Sequence, residues 1–109
     1  MRLVRCAFGG LVVSAFLVGC AATSRDADTY YAEGQYREAV ASYTEYLEAK
    51  PNDARAHFAL GDSLYLKYTD DYQRGRADSN DLSRALAHFT TAVQLEPGYA
   101  PAFSQRGVV

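Results

Sequence analysis

A small all-α domain of antiparallel helical hairpins is the fold class this chain predicts, on three observations. A segment repeats: YREAVASYTEYLEAKPND at 36–53 aligns in register with LSRALAHFTTAVQLEPGY at 82–99. In both copies the apolar residues recur at helical spacing, and a proline, Pro51 or Pro97, closes the run because it has no amide hydrogen to continue a helix. Ala, Leu, Glu and Arg dominate the periodic stretches, while strand signals are scarce.

Composition narrows the function classes. The 109 residues carry 11 Lys and Arg against 13 Asp and Glu, a formal charge of −2. Such a mildly acidic chain gives no electrostatic reason to expect nucleic acid as a partner. There is no Trp, but there are nine Tyr. Both cysteines, Cys6 and Cys20, lie near the N-terminus.

The N-terminal segment comes first in order. Arg2 and Arg5 precede an apolar run over 7–18, the length of a signal peptide and short for a bilayer span. The run ends in Leu17-Val18-Gly19-Cys20. This order of charge, apolar core, small residue and cysteine resembles the lipobox of bacterial lipoproteins. The resemblance implies that Cys20 is diacylated, that residues 1–19 are removed, and that the new amino group is acylated. Anchoring by several acyl chains is firm, at about 0.8 kcal/mol per buried methylene. It also implies that Ala21, rather than Asp, directs the product to the outer membrane, facing the periplasm. The competing reading is an ordinary secretory cleavage site at Ala21-Ala22-Thr23. Loss of 1–19 leaves 90 residues, a charge of −4 and no thiol for a disulfide, so stability rests on packing or partners.

The helical elements follow. Gly34 precedes the helix expected over about 36–50 and stands where a left-handed residue is often required. Beyond Pro51 the similarity continues: Ala54-x-Ala56-His57 followed by Gly61 matches Ala100-x-Ala102-Phe103 followed by Gly107. These residues resemble the tetratricopeptide repeat, a helix–turn–helix unit of about 34 residues. The resemblance divides 20–109 into a first repeat at about 20–53, a second at about 54–99 and the start of a third at 100–109. Only the first helix of the first repeat is weakly written. Tyr30 fits there, but Asp26 and Ala27 replace the usual Leu-Gly pair, and Tyr46 stands where a small residue is usual. Small residues, Gly61, Ala39, Ala85 and Ala92, are expected where paired helices approach closely. Tyr43, Leu60, Phe89 and Val93 are expected to fill the space between them.

The second repeat runs to 46 residues, 12 beyond the usual length, with the excess at 69–80, TDDYQRGRADSN. Its acids do not follow the spacing of a calcium loop, and Arg74 and Arg76 lie among them. The expectation is an extended first helix plus a solvated loop, with Ser79 or Asn80 capping the next helix and Asp81 near its positive end. Repeat arrays generally need about three units and a polar cap. The chain is therefore read as the N-terminal part of a longer array. The alternative is a short last helix covered by a partner or a second copy. Val108 and Val109 make self-association through that end the corresponding expectation.

No catalytic constellation is present: no nucleophile elbow, no P-loop, no metal-binding histidine pair in one helix. His57 is expected to pack or cap and His88 to be exposed. No enzyme activity, cofactor or metal is expected. In the resembled family the first helices of successive repeats line a concave groove for a peptide or helix. By position this implies Asp28 and Tyr31 from the first repeat, Arg55, Phe58, Asp62 and Tyr65 from the second, and Ser104 and Gln105 from the third. The Lys and Asn that grip a C-terminal carboxylate in some members are replaced here by Phe58 and Asp62. The expected function is a lipid-anchored adaptor or scaffold for other envelope proteins or peptides. The alternative is the anchor and first repeats of a longer envelope protein whose active domain lies downstream.

Overall fold

The structure is a computed structural model and describes residues 23–98. Cys20, the signal segment and the third-repeat residues Phe103, Ser104, Gln105, Val108 and Val109 lie outside the described residues. Among the described residues there are four helices and no strand: α1 (Arg25–Ala32), α2 (Tyr36–Ala49), α3 (Ala54–Gln73) and α4 (Ser79–Leu95). Each helix packs on the next in sequence, which makes two consecutive hairpins with α2 against α3 at the joint. No described helix is long and apolar enough to cross a membrane.

The turns have local causes. After α1 the amide of Gln35 donates to the Tyr30 carbonyl and that of Gly34 to Tyr31, with Gly34 at φ +77°. After α3 the same pair recurs, Arg76 to Asp71 and Gly75 to Tyr72, with Gly75 at φ +74°. Both are Schellman closures, which need a left-handed residue that glycine supplies without steric cost. The sequence points to Gly34 for this role; Gly75 is its unanticipated counterpart. At the other joint α2 ends at Ala49, just before Pro51. Asp53 then caps α3, its carboxylate accepting from the Ala56 amide at 3.1 Å.

The start of α4 corrects an expectation. The cap is neither Ser79 nor Asn80 but Asp78, whose carboxylate accepts from the Asn80 amide at 2.9 Å. Asp78 is extended (φ −114°, ψ 115°), as a cap must be, while Ser79 and Asn80 are already helical. The excess in the second repeat is divided as expected. Helix α3 runs on through Gln73, and a short turn carries the rest.

Burial follows the repeat. Ala39 and Ala85 are both fully buried, Tyr43 and Phe89 likewise, and Leu47 and Val93 are matched a turn later. Leu60 and Leu64 of α3, with Ala27 of α1, complete the main core, while Ala54, Ala92 and Val93 form a smaller cluster bridged by Phe58. Ala27, in the place of the usual glycine, is buried and small enough for the close helix contact there. The match breaks at Leu86, which is exposed although its counterpart Val40 is half-buried.

Candidate functional site

One face of α1 presents Asp28 and Tyr31, three residues apart. One face of α3 presents Arg55, Phe58, Ala59 and Asp62, at the i, i+3, i+4, i+7 spacing of a helical stripe. Because α2 lies between the two helices and packs on both, these faces look toward each other across a concavity of about 250 Å³, with Tyr43 of α2 at its floor. Of the eight expected groove residues, Ser104 and Gln105 lie outside the described residues, and five of the other six line one depression. The sixth, Tyr65, does not. It is half-buried and packs against the main core.

The polar groups of the depression are tied to one another. The Tyr31 hydroxyl donates to Asp62, linking α1 to α3, and the Tyr43 hydroxyl donates to Asp28, linking α2 to α1. Arg55 donates to Asp28 at 3.3 Å and to the Ser24 hydroxyl at 2.7 Å. Ser24 in turn donates to Asp28 at 3.2 Å. Burial, reinforced by the facing carboxylate, holds both phenols well above the usual tyrosine range, so each remains a donor. Burial works against the charge on Arg55, but Asp28 outweighs it and raises the guanidinium further. With its polar atoms so engaged, the accessible lining is mainly carbon, supplied by the half-buried rings of Phe58 and Tyr31 over the buried Ala59 and Tyr43. Phe58 is itself braced from behind by Phe89, with ring centres 5.7 Å apart.

Ser24, Tyr43 and Ala59 belong to this depression and were not assigned to it from the sequence. The signal for Tyr43 was available. A buried tyrosine needs a partner for its hydroxyl, and a carboxylate on the facing helix is the natural one.

A second cluster lies where the extension of α3 meets the first turn of α4. Asp71 and Asp81 are each only 4% exposed, and Lys67 bridges them at 3.2 and 2.7 Å. Arg37 of α2 and Arg76 of the turn each approach Asp71 to 3.6 Å, and Arg84 lies 3.9 Å from Asp81. Hydrogen bonding by Lys67 holds the Asp71 carboxyl below the usual carboxylate range, with Lys67, Arg37 and Arg76 adding their charge against the burial. A concavity of about 190 Å³ lies beside this network, between the start of α2 and the end of α3. Among the described residues no group of three or more His, Cys, Asp or Glu side chains is placed to hold a metal ion.

The two histidines meet. His88, expected to be exposed, is half-buried, with its Nδ1 3.1 Å from Nδ1 of His57. It sits one position before Phe89 on α4, so it points toward α3 beside the Phe58–Phe89 contact. Nε2 of His57 lies 2.8 Å from the Pro51 carbonyl, so His57 packs on His88 and ties the start of α3 to the α2–α3 turn.

Comparison with known families places a TPR repeat at residues 27–67, which covers most of α1, all of α2 and most of α3. Residues 27–67 thus match a TPR repeat, within described residues that form four helices and no strand. No curated protein and no solved structure matches it.

Proposed function

We propose that this repeat-containing chain is a protein–protein interaction module whose α1–α3 concavity receives a segment of another protein through an apolar side chain. The observation that carries the reading is the division of the depression into a locked polar frame and an open carbon wall. The Tyr31–Asp62 and Tyr43–Asp28 bonds, with Arg55, hold the helices at a set separation. The half-buried Phe58 ring and the buried Ala59 line the concavity as its apolar surface. Repeats of this family generally mediate protein–protein interaction, and they serve as scaffolds rather than as catalysts. A preformed depression with a rigid rim keeps the ordering cost of binding low.

A photo-crosslinking side chain at Arg55, on the rim, tests this against the same group at Glu48, exposed on α2. The reading requires a discrete adduct from Arg55 and none from Glu48, and its loss in Phe58→Asp. Equal labelling from both positions would refute it.

The cellular setting belongs to the same proposal. The Leu17-Val18-Gly19-Cys20 order supports a lipid anchor at Cys20 in a bacterial envelope, with Ala21 favouring the outer membrane and a periplasmic domain. The partners are then other envelope proteins. Mass spectrometry of membrane-purified protein should show a diacylglyceryl-modified N-terminal Cys20, and Cys20→Ala should leave an uncleaved or mislocalised product. An unmodified N-terminus downstream of Cys20 would exclude the anchor.

A further inference from the structure

We propose that the His57–His88 contact is an acid-operated latch: it holds α3 against α4 at neutral pH and opens when both imidazoles are protonated.

The geometry is that of a shared proton. The two ring planes are only 25° apart, and the ring centres are 5.3 Å apart. That is about the 3.1 Å nitrogen separation plus the two ring radii, so the rings meet edge to edge with their Nδ1 atoms on the line between them. Two nitrogens so placed hold one hydrogen between them. The Pro51 carbonyl accepts only, so Nε2 of His57 carries a proton. In the neutral pair Nδ1 of His57 is then the acceptor and His88 donates. One further proton can enter without breaking the contact. A second would set two N–H groups head-on at 3.1 Å and force the rings apart.

The surroundings oppose the second proton. Burial holds His88 down to about 4, and His57 and Arg84 add to the effect. Among the described residues no carboxylate acts on His88. On α4 the acting group is Arg84. On α3, His57 lies in the first turn, at the positive helix end. In the α2–α3 turn the Pro51 carbonyl contacts His57, while the Asp53 carboxylate is committed to the Tyr46 hydroxyl at 2.6 Å and the Ala56 amide. The latch also sits beside the Phe58–Phe89 contact, since each histidine immediately precedes one of those rings in sequence.

The unfolded chain takes up two protons as pH falls through 6.5, whereas the folded pair takes up at most one until the contact breaks. Stability is therefore full above pH 6.5 and declines as pH falls toward the lower step.

Two measurements on the full chain test the latch. Imidazole NMR titration should show the folded pair gaining no more than one proton between pH 7 and pH 5. In urea both rings should be protonated by pH 5. Thermal melts should lose about 5 °C between pH 7 and pH 5, and the loss should largely vanish in the double variant His57→Phe, His88→Gln. Two independent titrations near 6.5 in the folded chain would overturn the proposal, as would an equal pH loss in the double variant. If that variant does not fold, the wild-type titration alone decides.

Discussion

A methyl group placed on Gly61 would lie 2.7 and 2.8 Å from two carbons of the Phe89 ring and 3.0 Å from the Ala85 carbonyl oxygen. The ring is fully buried, and the oxygen belongs to the backbone of α4, so neither has room to retreat. Helix propensity alone would favour alanine by about 1 kcal/mol. Overpacking a closed core opposes it with about 1–3 kcal/mol, and here the contact distances decide for strain. Gly61→Ala should therefore destabilise the chain by about 1–2 kcal/mol in urea unfolding. An unchanged or higher midpoint would show that Phe89 can move aside. Residue identity at this point sets the separation of α3 and α4, and so the position of Phe58 against Phe89 at the edge of the concavity.

Helix ends matter at the next scale, because an α-helix leaves its terminal amides and carbonyls unpaired. Helices α3 and α4 each begin at an aspartate whose carboxylate takes an amide, whereas α1 and α2 begin without a side-chain cap. This separates two acids of the same polar stretch. Asp78→Ala should cost about 1 kcal/mol, as loss of a cap does. Asp70→Ala, which removes only an exposed pair with Arg74 at 3.5 Å, should cost less than about 0.5 kcal/mol. Paired thermal melts check the contrast, and equal effects would show that the cap contributes nothing. Both acids are exposed, and only Asp78 holds a helix amide.

Helices α2, α3 and α4 are tied at opposite ends by different means. Near the α2–α3 turn, Asp53 receives the Tyr46 hydroxyl and the histidine pair bridges α3 to α4. At the far end Lys67, Asp71 and Asp81, with Arg37 from α2, tie three helices together. The buried Asp71 carboxyl is held below its ordinary value of 3.8. Its contribution is therefore present above that pH and lost as pH falls below it. Acid weakening should come in two windows, one below 6.5 from the histidines and one below 3.8 from this network. Lys67→Met should lower stability at pH 7 by about 1–2 kcal/mol and flatten the lower window without altering the upper one. A pH series of urea midpoints measures both. An unchanged lower window would show that Lys67 does not govern Asp71.

The sequence by itself determined the helices, their pairing and the core. An apolar period of 3.6 residues reports which face is buried, and the repeat places Ala39 with Ala85 and Tyr43 with Phe89 at equivalent depth. The resemblance to the tetratricopeptide repeat implied Asp28, Tyr31, Arg55, Phe58 and Asp62 on one groove, and these five line one depression. Tertiary structure alone decided the fate of the polar groups. Asp71 reads like Asp70, and His88 like any polar residue beside a core phenylalanine. A rotation of about 100° between neighbours on α3 separates Asp70 in solvent from Asp71 on Lys67. Apolar burial is written as a period and survives local ambiguity. Pairing of charges and protons depends on ångström distances between helices that no spacing along one helix encodes.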